Sequence, residues 1–208
     1  AKSNSKTHSI ARMVRRALVI AFASTTAFAA PPLNQLPAGG TVTAGQAVIS
    51  SSSNATTINQ STNKAAINWN SFDVGANASV KFVQPDASSV TLNRVQSGSP
   101  SQIYGNLQSN GQVYLINPSG AYFAPGASVN VGGIVATTHQ LSDADFMLGK
   151  NTFNANGSTG AIVNDGSITA ALGGYIALLA PEVRNNGILV AQQGTIALAA
   201  GEAITLNF

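Results

Sequence analysis

Short apolar runs separated by tight polar turns recur along residues 111–137. The run at residues 113–116 is rich in β-branched and aromatic residues, which favour strands. Further short runs follow at residues 122–123, 129–131 and 134–135, with only a few residues between them. No helix fits into connections of that length. The pattern therefore predicts a chain that coils into stacked rungs of short β-strands.

The clearest internal repeat lies near the end of the sequence. Residues 174–178 recur as residues 194–198, a step of 20, and Asp165-Gly166 recurs as Asn186-Gly187, a step of 21. This step is too short for a helical hairpin repeat, and the Leu and Asn template of a leucine-rich repeat is missing. A parallel β-helix fits best, with Ile and Leu pointing inward, Asn stacked at the corners and Pro181 in a corner.

Segments outside this repeat have other predicted roles. Residues 31–44 are rich in Pro and Gly and are expected to form an extended lead-in. Strand candidates at residues 46–49 and 57–60 flank a Ser-rich turn, and we expect them to cap the first rung, because an open β-edge invites unwanted pairing. Polar residues 140–160 interrupt the β pattern and are expected to leave the rungs, with one helical turn at Asp143–Met147.

The apolar face of Ile67, Trp69 and Phe72 precedes further strand candidates at residues 80–85, 89–95 and 103–107, which alternate with period two. We interpret Trp69 as a core or cap anchor, with carbohydrate stacking as the alternative. Residues 201–208 are expected to add one more strand. No polar cap follows them, and solenoids need terminal caps, so we expect the native chain to continue.

Basic residues are concentrated at the start of the chain. Five of the ten precede an apolar run at residues 17–23: Lys2, Lys6, Arg12, Arg15 and Arg16. That run is short of the ~20 residues of a spanning helix, and Ala27, Phe28 and Ala29 have the A-x-A form of a cleavage site. Residues 1–29 are therefore predicted to be a secretory signal peptide, which leaves Ala30 at the mature N-terminus. Without the five basic residues the net charge is −2, which does not indicate nucleic-acid binding.

Candidate catalytic and metal-binding groups are scarce. The chain has no Cys and seven acids, and His139 is the only His outside the predicted signal peptide. Glycoside hydrolysis needs two facing carboxylates, and the candidate pairs are Asp143 with Asp145 and Asp165 near Asn186. We interpret these, and a Ser–His–Asp arrangement using His139, as structural. No catalytic residue, metal site or cofactor is predicted. A β-helical carbohydrate-active enzyme and a stand-alone surface-binding protein remain open alternatives.

Five motifs resemble, in order and spacing, the secretion domain of two-partner-secreted exoproteins of the filamentous haemagglutinin type. They are INWNSFDVG at 67–75, TLNRV at 91–95, IYGNL at 103–107, VYLINPSG at 113–120 and VGGIVATT at 131–138. The likeness runs from about residue 36 to residue 208. Ser119 stands where the family motif has a second Asn. Residues 1–9 also resemble the tail of the extended signal region of very large exported proteins.

The resemblance implies an all-β, right-handed parallel β-helix with an N-terminal cap and extra-helical strands. It also implies that residues 30–208 are the front of a longer passenger, exported through the Sec machinery to the periplasm of a Gram-negative bacterium. There the POTRA domains of a TpsB-type outer-membrane β-barrel transporter are expected to recognise them and to deliver the protein to the cell surface. The passenger would reach a host-cell or surface target, and no nucleic-acid partner is expected.

Two stretches are the expected recognition or nucleation residues. Asn117, Pro118, Ser119 and Gly120 suit a tight turn, with Pro118 presetting φ and the Asn117 side chain bonding the backbone two residues on. Asn93, Arg94 and Val95 form the second stretch. An equally open interpretation is that these residues are simply tight turns and rung contacts.

Overall fold

The computed structural model describes residues 29–207. Residues 1–28 of the predicted signal peptide, including Ala27, lie outside the described residues. Ala29 and Ala30, at the predicted cleavage site, precede the first strand and are exposed. Signal cleavage therefore stays a prediction. Within residues 29–207, no helix has the length and apolar character needed to cross a membrane.

Three sheets wrap around one axis, and their strands are as follows in spatial order. Sheet 1 contains β1 (Thr41–Ala44), β4 (Lys64–Trp69), β6 (Val90–Val95), β9 (Gln112–Ile116), β12 (Gly133–Thr137), β16 (Tyr175–Leu179) and β19 (Thr195–Ala199). Sheet 2 contains β7 (Ser101–Ile103), β10 (Gly120–Phe123), β14 (Ala161–Asn164) and β17 (Glu182–Asn185). Sheet 3 contains β2 (Ala47–Ser51), β3 (Ala55–Gln60), β5 (Ser79–Val83), β8 (Asn106–Ser109), β11 (Ser128–Val131), β15 (Ser167–Ala170) and β18 (Ile188–Ala191).

From β3 onward, the strands within each sheet run parallel, so the chain visits the three sheets in turn and climbs by one rung per circuit. This is the predicted parallel β-helix with its cap and extra-helical strands. The predicted repeat is confirmed, because Ile176 lies opposite Ile196 in sheet 1 and Ile162 lies opposite Val183 in sheet 2.

The interior of the coil is a continuous apolar stack. In sheet 1 the column Val113, Ile134, Ile176 and Ile196 runs through four successive rungs. The first three are fully buried, whereas Ile196 on the last described rung is 45% exposed. Burying an aliphatic side chain of this size is worth about 1.5–3 kcal/mol. Each added rung therefore stabilises the rung before it.

Antiparallel strands close the first rung. β1 pairs with β4 and β2 pairs with β3, both antiparallel, which confirms the predicted cap. Residues 31–44 include β1 and are thus more than an extended lead-in, because Val42 packs against the apolar interior. Trp69 is buried there, edge-on to Phe72 with ring centroids 5.5 Å apart. The interpretation of Trp69 as a core anchor is confirmed.

Residues 140–160, which we call the excursion, leave the coil and fold over the outer face of sheet 1. They contain the predicted helical turn, α1 (Asp143–Met147), and the strand β13 (Thr152–Asn154). Leu141, Phe146 and Phe153 are buried against outward-facing residues of sheet 1, including Tyr114 and Tyr175. We call this second apolar cluster the outer core. It explains why β6 and β12 are buried on both faces, although the sequence predicts alternation for β6.

The strand expected in residues 201–208 is present, but it does not add a rung to the coil. The strand β20 (Ala203–Thr205) instead runs antiparallel to β13, and we call this pair the clasp. The Thr152 and Thr205 hydroxyls lie 3.0 Å apart across 53 residues of chain. Ile204 and Leu206 pack against the outer core, which draws this segment away from the coil axis.

We predict that Ile204→Asp opens the clasp and leaves the coil folded. The carboxylate replaces an apolar side chain that packs on the outer core, at an expected cost of about 1–3 kcal/mol. Hydrogen exchange should accelerate at Phe153 and stay slow in β9 and β12. Glu202→Ala is the control, because the Glu202 side chain is exposed. Unchanged protection at Phe153 in the Ile204 variant would contradict the role given to the clasp.

Candidate functional site

Residues Asn117–Gly120 form the tight turn that the sequence predicts. The Gly120 N–H donates to the Asn117 carbonyl at 2.9 Å and closes the turn. The Asn117 Oδ1 atom accepts the Ser119 N–H at 2.9 Å, which is the predicted bond two residues on. The Asn117 N–H also donates to the Thr137 carbonyl on the next rung at 2.9 Å. The turn thus connects sheet 1 to sheet 2 and is tied to its neighbour.

The Asn117 side chain is buried and fully engaged. Its Nδ2 atom donates to the Ser99 carbonyl and to the Ser101 hydroxyl, each at 3.0 Å. Only 1% of Asn117 is exposed. Because a buried amide must find partners within the protein, Asn117 acts as a tie between two successive corners of the coil. It offers no surface to another molecule.

The remaining turn residues link the rungs on either side. The Pro118 carbonyl accepts the Ser158 hydroxyl at 2.7 Å, from the excursion. The Ser119 hydroxyl donates to the Ser97 carbonyl at 3.4 Å, so the residue that departs from the family motif still reaches the preceding corner. Gly120 has a φ of 110°, and a Cβ there would lie 2.5 Å from the Ala161 carbonyl oxygen. Only glycine suits that position.

Asn93 points into the coil. Its neighbours in register are the core residues Ile67 and Leu115. The Trp69 indole N–H donates to Asn93 Oδ1 at 3.0 Å, and Asn93 Nδ2 donates to the Thr91 and Tyr114 carbonyls at 3.3 Å. This buried amide is satisfied, which is the condition for keeping a polar group in an apolar interior.

Arg94 lies on the outer face of β6 and holds the excursion in place. Its Nη1 atom lies 2.8 Å from Asp143 Oδ1, and its Nη2 atom donates to the Leu141 carbonyl at 2.6 Å. Asp143 Oδ2 in turn accepts the Thr43 hydroxyl at 2.7 Å, from the cap strand β1. Three separate parts of the fold meet at this carboxylate.

Lys64 complements Arg94 at the other end of α1. Its Nζ atom donates to the Phe146 carbonyl at 2.9 Å and to the Met147 carbonyl at 3.3 Å. A cation at the carboxyl end of a helix is favourable because the carbonyls there lack partners. Two basic residues of sheet 1 therefore fix α1 at both of its ends.

The two predicted stretches converge on one loop, residues 96–100, which we call the corner loop. Val95 leads into it and is buried in the coil, while Asn117 and Ser119 bond its carbonyls from the next rung. A cleft of about 360 Å³ lies beside the corner loop. Its lining comprises Arg94, Val95, Gln96, Ser97, Gly98, Ile116, Pro118 and Gln140. Sequence reasoning missed the loop, whose signal is a small polar run directly after the TLNRV motif.

The other candidate groups have structural partners. His139 is buried, and its Nε2 atom lies 2.6 Å from the Gly201 carbonyl oxygen. Asp165 accepts the Tyr122 hydroxyl at 3.0 Å and the Asn186 amide at 2.9 Å, which confirms that residues 165 and 186 fall on neighbouring corners. Burial and the Asp165 carboxylate raise the pKa of Tyr122 to about 12. In the part of the chain described, no three His, Cys, Asp or Glu side chains come close enough to hold a metal ion.

Asn164 and Asn185 form the Asn ladder expected at the corners. The Asn164 Nδ2 atom donates to Asn185 Oδ1 on the next rung at 2.7 Å. Asn185 Nδ2 then donates to the Gly187 carbonyl at 3.3 Å, as Asn164 bonds within its own turn. The repeated turn therefore presents the same side chain at the same place on two rungs.

The chain is therefore a β-solenoid domain with an antiparallel cap and an extra-helical clasp, and its motif residues make structural contacts. The profile of the TPS secretion domain matches residues 34–207, nearly all of the described chain. This chain belongs to the TPS secretion domain family.

Relatives and solved structures agree with this assignment. The chain is 50% identical over 106 residues to a heme/hemopexin-binding protein of Haemophilus influenzae, and 44% identical over 121 residues to another protein of that name and organism. These matches cover 51% and 58% of this chain but 12% of each relative. The crystal structure of the HMW1 secretion domain from Haemophilus influenzae superposes with a TM-score of 0.78 at 36% identity, covering 81% of this chain and 46% of the other.

We predict that Asn117→Ala destabilises the domain by about 1–3 kcal/mol, because the Ser99 carbonyl and the Ser119 N–H lose a buried partner. Urea unfolding monitored by far-UV circular dichroism measures the change. Asn130→Ala is the matched control, since Asn130 is exposed and donates only to the Ser128 hydroxyl within the protein. Its expected effect is within about 0.5 kcal/mol. Equal stability of the two variants would contradict the stabilising role given to the buried Asn117 side chain.

We predict an acid-sensitive contribution from Asp143. Burial alone would raise the pKa of Asp143, but hydrogen bonds from Thr43 and Arg94 and the charge of Arg94 lower it below the ordinary 3.8. A carboxylate with a lowered pKa stabilises the fold above its ordinary pKa, and this stabilisation is lost as the pH falls through the folded-state pKa.

The measurement is the unfolding free energy of the wild type and of Asp143→Asn between pH 7 and pH 2. We expect the wild type to be the more stable protein at pH 7 and the difference to shrink at the acid end. The difference is expected to be small, because the pair is partly exposed and screened by solvent. Glu202→Gln is the control, because the Glu202 side chain is exposed. A difference independent of pH would rule out the Arg94–Asp143 pair as its source.

Proposed function

We propose that residues 30–208 are the export module of a larger surface protein. Residues 1–29 direct the chain through the Sec machinery and are removed in the periplasm. The POTRA domains of a TpsB-type outer-membrane transporter then bind the module and pass the protein to the surface of a Gram-negative bacterium. The observation that carries this proposal is the TPS secretion domain match over residues 34–207.

The fold supports a role for folding in export. Ile196 and Leu198 lie in register with the buried core residues Ile176 and Leu178, yet they are 45% and 50% exposed. A further rung would bury them, at ~25 cal/mol per Å² of apolar area. Rungs that form one after another outside the cell would hinder the chain from sliding back, since repeat folding propagates from a nucleus. No nucleotide is needed for such a bias.

The chain spans 12% of the length of each heme/hemopexin-binding relative, so the activity of the whole protein is a separate matter. We propose that a passenger outside these residues contacts the host-cell or surface target, as a surface adhesin or ligand-binding protein would. The enzyme alternative has no comparable support. Asp165 bonds Tyr122 and Asn186, and Asp143 is paired with Arg94.

We predict that export needs both the transporter and the buried hydrogen bonds of the Asn117 side chain. In cells carrying the native exoprotein and its transporter, Asn117→Ala should lower the amount of surface and released protein several-fold. Signal cleavage should be unaffected, because residue 117 is distant in sequence from the signal peptide. Quantitative immunoblots of periplasm, cell surface and medium distinguish the two steps.

Asn130→Ala is again the control and should be exported like the wild type. Deleting the transporter gene should stop export of every variant. Normal export without the transporter would overturn the proposed function. Undiminished export of Asn117→Ala in transporter-positive cells would remove only the role given to that residue.

A further inference from the structure

The motif residues of this domain are poor candidates for direct contact with a partner. Asn93, Val95 and Asn117 are each at most 2% exposed. Gly120 is buried as well, and its φ of 110° gives it a purely conformational role. If these residues contribute to recognition, they do so by fixing the conformation of neighbouring residues that are exposed.

The corner loop is the exposed element that they shape. Its first residue is fixed by the Gln96 N–H, which donates to the Trp69 carbonyl at 2.9 Å. Its middle is held by the Ser119 hydroxyl on the Ser97 carbonyl, and its end by the Asn117 amide on the Ser99 carbonyl. The stretch Asn93–Val95 thus leads directly into the corner loop, Trp69 holds the loop from the rung below, and the stretch Asn117–Gly120 holds it from the rung above.

The corner loop itself faces solvent and has room for a partner. Gln96, Gly98 and Ser99 are exposed. A Cβ built at Gly98 meets nothing within 4 Å, and Gly98 does not have the positive φ of a strained glycine. The cleft of about 360 Å³ beside the loop is large enough for one side chain. Its rim carries the Gln96 amide and the Gln140 side chain, and the loop carries no charge.

We propose that the corner loop, residues 96–100, and its cleft are the surface that the transporter's periplasmic domain binds, with Asn117 and Ser119 as positioning residues. This inference rests on the proposed function. The partner that fits is an uncharged or weakly charged segment of that domain, which bonds the loop backbone and places one side chain in the cleft. Loops held by a rigid scaffold are the usual carriers of such contacts.

Gly98→Trp tests the surface, because the added side chain projects into open space. We expect the unfolding midpoint in urea to stay at the wild-type value. We expect the affinity of the mature chain for the purified periplasmic domain of its transporter, measured by isothermal titration calorimetry, to fall at least tenfold. Leu172→Trp is the matched control, since Leu172 is 69% exposed at a different corner, between sheets 3 and 1. It should bind like the wild type.

A second pair of variants keeps the proposal testable if Gly98→Trp proves unstable. Gln96→Ala should weaken binding without changing stability, because the Gln96 side chain is exposed. Asn117→Ala should weaken binding and also speed hydrogen exchange in the corner loop, which a residue important only for overall stability would not do selectively.

The possible results distinguish the corner loop as the binding surface from the proposed export function. Wild-type affinity in both Gly98→Trp and Gln96→Ala would overturn the corner loop as the binding surface and leave the proposed function standing. Failure of the wild-type chain to bind the periplasmic domain at all would overturn both. Loss of binding in Leu172→Trp as well as in Gly98→Trp would also overturn the loop, because the effect would then not be local.

Discussion

The strands of each rung of this β-helix pair through their backbones with the rung before and the rung after. Parallel pairing therefore demands that every circuit of the chain return to the same register. Inward-facing Ile, Leu and Val then fall on top of one another, as in the column from Val113 to Ile176. The corners must keep this register, which is why they are built from tight turns with specific hydrogen bonds. Stability is spread along the axis and is lowest at the ends.

Contacts between distant segments cover one face of the coil. The excursion covers sheet 1, and its position depends on Arg94 and Lys64, which lie 47 and 82 residues from their carbonyl partners Leu141 and Phe146. The clasp closes this face only when β20 reaches β13 across 53 residues. Because neighbouring rungs are close in sequence, the rungs can form before the outer core is sealed. The last described segment thus completes a core begun by much earlier parts of the chain.

Buried polar groups give the corners their specificity. Asn93 and Asn117 lie where an apolar residue would be expected from burial alone, and each donates its amide N–H groups to a backbone carbonyl of a neighbouring segment. Such groups are favourable only when every partner is in place, so they penalise alternative registers strongly. A domain that must fold from an extended chain into one register benefits from that penalty. The hydrogen bonds of the motif residues also hold the corner loop in place at the surface of the coil.

The sequence by itself determined the local features of this protein. The 20-residue step, the Asx turn at Asn117, the antiparallel cap and the helical turn at Asp143–Met147 follow from apolar periodicity and turn chemistry. Only the tertiary structure decided that sheet 1 is buried on both faces, that β20 joins β13, and that Thr43 meets Asp143 across 100 residues. The alternation of apolar and polar residues along a strand shows which side chains share a face. It does not show which segment covers the outer face of the sheet. The outer face of sheet 1 is covered by segments distant in sequence. The local residue pattern of such a segment does not show which sheet it packs against.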